Sequence, residues 1–309
     1  MSTFESRKKS RELNEKLIKL ALISAAAISI LTTFGILFSI LFEAIEFFKL
    51  RSFWYFITGT TWSPGVIGSQ FGALPIFAGT FVITIIALGV AIPIGLGSAI
   101  YMSEYASPKL RDYLKPLLEI LAGIPSVVYG FFAAITVAPL VVKAAEMVGL
   151  EATFNSALAS GIVMGIMIIP TISSLSDDVI RSVPDSQRKA SFGLGMTQAE
   201  TIKDIVLPTA LPGIISASLL ALSKALGETM VVVMAAGLRP NLSWNPLEDM
   251  TTVTVTIVNA LVGDFEFSSA ETLSAFALGL VLFVITLILN MISLSLIRKF
   301  KEKYKVNTL

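Results

Sequence analysis

Lys224 and Glu228 lie four residues apart in Ser223–Val233 (SKALGETMVVV), inside one of the most apolar stretches of the chain. Charge at bilayer depth costs at least ~2.5–3.5 kcal/mol per residue, so such groups face protein or a water-filled cavity and suggest a path for an ion. On a continuous helix, residues four apart share one face and can pair. A pair of this kind either lines a translocation pathway or anchors one helix to another. A second constellation runs from Asp177 to Pro208 and holds Asp177, Asp178, Arg181, Asp185, Arg188, Lys189, Glu200, Lys203 and Asp204 between two apolar segments. A charged segment this long between membrane spans works in water, against a partner.

Other chemistry is excluded by composition. The 309 residues include no cysteine and no histidine, which removes thiol nucleophiles, a histidine base and the usual zinc ligand sets. No GxxxxGK[ST] is present, the GxG pairs Gly95/Gly97 and Gly193/Gly195 lack a strand–turn–helix setting, and no GxSxG occurs. Any ATP, with its magnesium, is therefore expected on a separate subunit, and no cofactor or metal is expected in this chain. A net charge of +1 gives no reason to expect nucleic acid.

The elements that must position these residues are membrane helices. The chain is 54% hydrophobic and only 15% charged, against about 25% charged in soluble domains. Crossing the hydrocarbon core takes about 20 apolar residues. Six segments meet or approach this: Leu17–Phe42, Phe71–Tyr101, Leu114–Val142, Ala157–Leu175, Pro208–Leu238 and Leu273–Ile297. The expected class is an all-α polytopic membrane protein with a permease domain over residues 17–297, flanked by segments 1–16 and 298–309. Lysines and arginines concentrate in the N-terminal segment, between spans two and three, between spans four and five, and in Arg298–Lys305. By the positive-inside rule, both termini and the loop 177–207 face the cytoplasm, and the loops 43–70, 143–156 and 239–272 face outward. The first of these outer loops is rich in Phe, Trp and Tyr, a composition suited to the membrane interface. In the third, Thr251–Val262 is too short to span and reads as an interfacial or re-entrant helix. Pro75, Pro93, Pro125, Pro139, Pro170 and Pro212 fall in or beside spans, where each is expected to kink or break a helix.

Within the loop 177–207, helical signals begin at Pro184-Asp185 and continue to Phe192, where Gly193 and Gly195 interrupt them. A second helix is predicted from Thr197, with Glu200 as its capping-box partner. Pro208 and Pro212 mark entry to the fifth span. This helix–turn–helix, with small residues Ala190 and Ser191 expected on its surface, has the shape of a knob for a groove on another protein.

The spacing Lys189-Ala190-Ser191, then Gly195, Ile205 and Leu207-Pro208, resembles the EAA motif of ABC importer permeases, with lysine at the acidic position and serine at the second alanine. FGALPIFAGT (Phe71–Thr80), IPIGLGSAIYMSEYA (Ile92–Ala106), KPLLEILAGIPSVVYGFF (Lys115–Phe132) and ALGETM (Ala225–Met230) are similar to the phosphate-specific importer permeases, and the long tryptophan-bearing loop before span two to their C-type subunit. The resemblance implies a type I importer permease in a prokaryotic plasma membrane. It also implies a heterodimer with a second permease, two cytoplasmic ATPase subunits and an external phosphate-binding protein. Lys189, Ala190, Ser191, Gly195, Ile205, Leu207 and Pro208 would then couple to the ATPases, with Lys224 and Glu228 as pathway candidates. Alternatives are a permease for another oxyanion such as molybdate or sulfate, a secondary phosphate carrier using Glu228 as an ion site, and a membrane scaffold.

Overall fold

The computed structural model describes residues 2–65, 68–262 and 269–303. Lys305, in the C-terminal basic cluster, lies outside the described residues, as do 263–268 of the loop 239–272 and 66–67 of the loop 43–70. Among the described residues the fold is helical apart from one antiparallel pair of two-residue strands, Trp62–Ser63 (β1) with Gln70–Phe71 (β2). Six helices among the described residues are long and apolar enough to cross a membrane.

The first, α1 (Ser2–Leu50), stands beside the bundle, with the window of its candidate span wholly unburied, and meets α13 (Ala270–Lys303). A short α2 (Phe53–Thr58) and the hairpin follow. Phe47, Phe56 and Trp62 do not spread along an interface as the composition of their loop suggests. They are buried in a knot of edge-on rings, such as Phe47 on Phe71 at 5.5 Å, while Trp54 and Tyr55 stay exposed. The knot closes one end of the bundle, and such edge-to-face pairs add ~0.5–1.5 kcal/mol each beyond area burial.

At the centre, α3 (Leu74–Ile100) packs along α7 (Ala157–Arg181). Both are more than half buried, which a lipid-exposed helix could not be. Glycine explains the fit. A Cβ at Gly161 would stand 2.7 Å from Ile86, and one at Gly165 would stand 2.8 Å from both Val90 and the Ala87 carbonyl oxygen. The GxxxG spacing therefore sets a close crossing here. Gly165→Val should force the pair apart and cost about 1–3 kcal/mol, read as a lower melting temperature in detergent. An unchanged melt would mean that the two helices do not depend on this approach.

The third predicted span is broken. Pro108–Ala122 forms a separate helix, α4; Gly123, Ile124 and Pro125 interrupt it; the crossing stretch is Ser126–Met147, made of α5 (Ser126–Phe132), a π-helical turn and α6 (Ala138–Met147). The cause is Pro125, which cannot donate to the Leu121 carbonyl four residues back. That carbonyl accepts instead from the Tyr129 hydroxyl at 2.9 Å, which pins the break in place.

The fifth span also differs. Its helix starts at Gln198 (α9, Gln198–Thr201), passes a π-helical turn (Ile202–Val206) into α10 (Leu207–Leu226), and stops at Gly227. A short α11 (Met230–Ala235) resumes beyond Thr229. Of the prolines expected to break helices, Pro93, Pro170 and Pro212 lie inside continuous ones and Pro125 alone marks a break. The widened turns absorb part of this burden. Leu207 donates to Ile202 five residues back, immediately before Pro208, and Ala138 donates to Ala133 before Pro139.

Residues Thr251–Val262 form neither a span nor a surface anchor. Their helix α12 (Val253–Leu261) buries Val253, Val255, Thr256 and Ala260, and Val253 N–H donates to Thr80 Oγ1 of α3 at 3.0 Å. Gly79 admits this approach, since a Cβ there would lie 2.2 Å from the Thr251 carbonyl oxygen.

Candidate functional site

Alternation of six crossings puts the start of α1, the end of α13 and the α7–α10 connection at one end of the bundle. There α7 continues through Asp177 and Asp178 to Arg181, so the first charged residues of this region belong to a membrane helix. Helix α8 (Asp185–Gly193) follows, then a turn, then α9. Gly195 has φ of +85°, the left-handed conformation that glycine adopts without strain, and its N–H donates to Phe192 O at 3.0 Å. Thr197 then caps α9. Its hydroxyl accepts from Glu200 N–H, and the Glu200 carboxylate accepts from Thr197 N–H at 2.8 Å, the reciprocal box read from sequence.

Lys189 and Ala190 are exposed, but Ser191 is only 3% exposed, against the expectation that both small residues face outward. The α8–turn–α9 fold brings the Ser191 hydroxyl to 2.8 Å from the Thr201 hydroxyl, which ties the two short helices together. The exposed tip is formed by Phe192 and Leu194, with Leu194 84% exposed. Ile205, Leu207 and Pro208 serve as the root: Ile205 lies in the π-helical turn, and Leu207 packs against a buried cluster of Ala99, Ile180, Val183, Val206, Ala210 and Ile214. An apolar tip on a capped, rooted turn presents a ready-made shape, so docking costs little ordering entropy.

The knob is held to the bundle by charges whose partners lie far away in sequence. Arg188 donates to Glu104 at 2.9 Å, to the Ile180 carbonyl at 2.9 Å and to the Val183 carbonyl, thereby satisfying the exposed end of α7. Gln198 donates to the Glu104 carbonyl at 2.7 Å. Beside them the polar face of α4 turns inward: Arg111 reaches the fully buried Asp177 at 2.6 Å and Lys115 reaches Asp178 at 2.5 Å. The hydrogen bond that Arg111 donates to Asp177 carries its guanidinium above its already high pKa. Sequence reading took Arg111 and Lys115 as orientation signals and left Glu104 and Gln198 without a role. No motif links them to the knob, because the pairing depends on the fold.

The expected Lys224–Glu228 pair is not made. Gly227 ends α10, so the two residues do not continue on one helix face. Glu228 Oε1 instead accepts from Met230 N–H at 3.0 Å and Val231 N–H at 3.3 Å, capping α11, and its carbonyl accepts from Thr254 at 2.8 Å. Lys224 is exposed in the last turn of α10 and makes no ion pair among the described residues. The helix C-terminus favours its charge.

The opposite end carries a stiff loop after α11. Asn241 and Asn245 donate to the two carboxylate oxygens of Glu248 at 2.7 and 3.1 Å, and Thr153 N–H donates to the Leu247 carbonyl at 2.9 Å. Hydrogen bonds from Asn241, Ser243 and Asn245 hold the Glu248 carboxyl below its usual range. A carboxylate so depressed stabilises the loop above its unfolded-chain pKa and loses that contribution as the pH falls through the folded value. Acidification below about pH 4 should therefore loosen the loop. This is read from the emission of exposed Trp244, compared with a Trp244→Phe background. The transition should vanish in Glu248→Gln, and an identical transition in that variant would show that another group governs it.

Comparison with known proteins adds to this geometry. Residues 91–303 match the family described as "Binding-protein-dependent transport system inner membrane component". The chain is 32% identical over 303 residues to the "Probable ABC transporter permease protein YqgH" of Bacillus subtilis, covering 97% of this chain and 95% of that protein. It is 34% identical over 287 residues to the "Phosphate transport system permease protein PstC" of Mesorhizobium japonicum, covering 86% and 84%. Among solved structures, a bacterial alginate ABC transporter in complex with an alginate-pentasaccharide-bound periplasmic protein superimposes with a TM-score of 0.62 at 16% identity, over 88% of this chain and 92% of that one. A chain of the inward-facing MetNI methionine transporter gives 0.53 at 16% identity, over 74% and 94%. These last two support the fold alone.

Proposed function

This chain belongs to the family of binding-protein-dependent transport system inner membrane components, and from that membership we propose that it is the transmembrane permease subunit of an ATP-driven importer of inorganic phosphate. The observation that carries the choice of phosphate is the alignment, over most of the chain, with permeases named for phosphate transport. The knob end, with both termini, faces the cytoplasm, in keeping with its lysines and arginines. A second permease completes the pore, two ATPase subunits hold the knobs, and an external binding protein delivers the anion. ATP with magnesium acts on the ATPase subunits, in keeping with the lack of a GxxxxGK[ST] motif in this sequence.

In this reading the residues divide the work without bond chemistry. Leu194 and Phe192 fill a groove on the ATPase, and Ser191–Thr201 and Arg188–Glu104 keep the knob from yielding when the ATPases close. Movement of the knob passes through Leu207 and Pro208 into α10, which ends at Lys224 and Gly227. There the exposed Lys224 ammonium attracts the anion as a point charge, while the α10–α11 break supplies a hinge. Transport coupled in this manner requires an element with two arrangements biased from both sides of the membrane.

Uptake into proteoliposomes tests the reading. Phosphate should enter only with ATP, the ATPase and the loaded binding protein present, and molybdate or sulfate should enter much more slowly. Uptake without the ATPase would overturn the ABC mechanism, and equal uptake of all three anions would overturn the assignment of phosphate. Lys224→Gln should lower phosphate uptake about tenfold, the scale of one lost charge contact of ~1.4 kcal/mol. Lys143→Gln, an exposed charge at the far end, should leave uptake unchanged. Equal effects of the two substitutions would remove Lys224 from the pathway.

A further inference from the structure

Next to the Arg188–Glu104 contact lies a cleft of about 420 Å³, between the end of α3, the start of α4 and the base of the knob. Its walls include Glu104, Arg111, Asp112, Arg181, Asp185 and Arg188. Two of the arginines are engaged, Arg111 with Asp177 and Arg188 with Glu104. The third, Arg181, is exposed in the last turn of α7 and makes no ion pair or side-chain hydrogen bond among the described residues. Its place in the last turn of α7 suits a cation, which accounts for the charge at this position but not for the cleft beside it.

The lining decides between two occupants. Three acidic and three basic side chains leave no net charge, so a small free anion gains little from the field inside. A protein surface can set one carboxylate against Arg181 and place other groups against Asp112 and Asp185, and a mixed lining of this kind favours such complementary contact. The cleft is also continuous with the knob. Asp185 and Arg188 of α8 form one wall, and the opposite wall is joined to α9 through Gln198 and Glu104. Tyr105 and Tyr113, 53% and 80% exposed, flank the α3–α4 corner, and arginine with tyrosine is the composition of binding hot spots.

We infer that the docking surface for the ATPase is wider than the turn from Lys189 to Gly195 and includes this cleft, where a carboxylate-bearing segment of the ATPase pairs with Arg181. The inference rests on the reading of the knob as an ATPase dock. Purified ATPase, titrated onto the permease pair in lipid nanodiscs, separates the two. Arg181→Glu should weaken binding about tenfold at low salt and less at high salt, since salt screens an exposed contact. Arg181→Gln should weaken it by less, and both variants should remain in the membrane at normal level because the residue is exposed. Wild-type affinity in Arg181→Glu, with binding abolished in Gly195→Trp, would overturn the cleft and leave the knob. Wild-type affinity in both would overturn the knob reading as well. Inorganic phosphate that inhibits the assembled transporter from the ATPase side, with inhibition lost in Arg181→Glu and ATPase affinity unchanged, would make the cleft an anion site and overturn the inference.

Discussion

Gly195→Trp abolishes uptake while the protein stays in the membrane at its normal level. Two features give this expectation. The first is conformation: at φ of +85° a residue with a Cβ pays about 1–2 kcal/mol, small against the ~5–15 kcal/mol of a typical fold. The second is space. A Cβ at Gly195 meets nothing within 4 Å, so the indole points away from the protein, into the volume a docked partner must fill. The folded state survives and the interface does not. Gly195→Ala separates the two contributions, because it brings the strain without the bulk, and should retain most of the uptake. Membrane abundance by immunoblot, taken with initial uptake rates, is the measurement. Normal uptake by Gly195→Trp would mean that the turn meets no partner.

Asp177→Ala should reduce the folded protein several-fold. Its carboxylate is fully buried, with Arg111 at 2.6 Å and Lys115 at 3.9 Å. Removing it deprives Arg111 of its hydrogen-bond partner and leaves Asp112 and Asp178 as its nearby counter-charges, at about 1.5–3 kcal/mol for a charged hydrogen bond. That is a sizeable fraction of a typical stability. The expected readout is a fall of several degrees in melting temperature and a several-fold loss of protein from the membrane. An apolar replacement of both partners, Asp177→Leu with Arg111→Met, should recover much of the loss, because the cost lies in the hydrogen-bonding group left without its partner. Failure of the double variant to recover would assign Asp177 a role beyond this pair. Normal melting of Asp177→Ala would remove the α4–α7 contact from the structural core.

The residues legible in the sequence are those whose signals are local. Thr197 and Glu200 announce their capping box within four residues, and Gly193 and Gly195 punctuate the knob. The six crossings follow from hydropathy summed over twenty residues, which averages over single interruptions. That averaging is why Leu114–Val142 reads as one span although Pro125 divides it, and why Lys224 and Glu228 read as neighbours on one face although Gly227 separates them. Proline alone does not settle the matter, since Pro170 and Pro212 sit in unbroken helices. What distinguishes Pro125 is Tyr129 one turn on, ready to serve the freed carbonyl, since Pro212 has Gly213 directly beside it and still sits in an unbroken helix. The inward turn of Ser191 and the Arg188–Glu104 contact depend on groups 10 and 84 residues away, beyond any local pattern.

The helix from Gln198 to Leu226 has 29 residues and rises about 43 Å at ~1.5 Å per residue. Its lower end is stapled by Gln198 to the Glu104 carbonyl, in the π-helical turn just beyond α3, and its upper end stops at a glycine. In the proposed mechanism this helix would act as a push-rod, passing a stroke at the knob on toward Lys224. A transporter built in this manner would register partial closure of its engine at the far side of the membrane, and its stroke length, rather than the strength of its grip, would set how completely the passage switches.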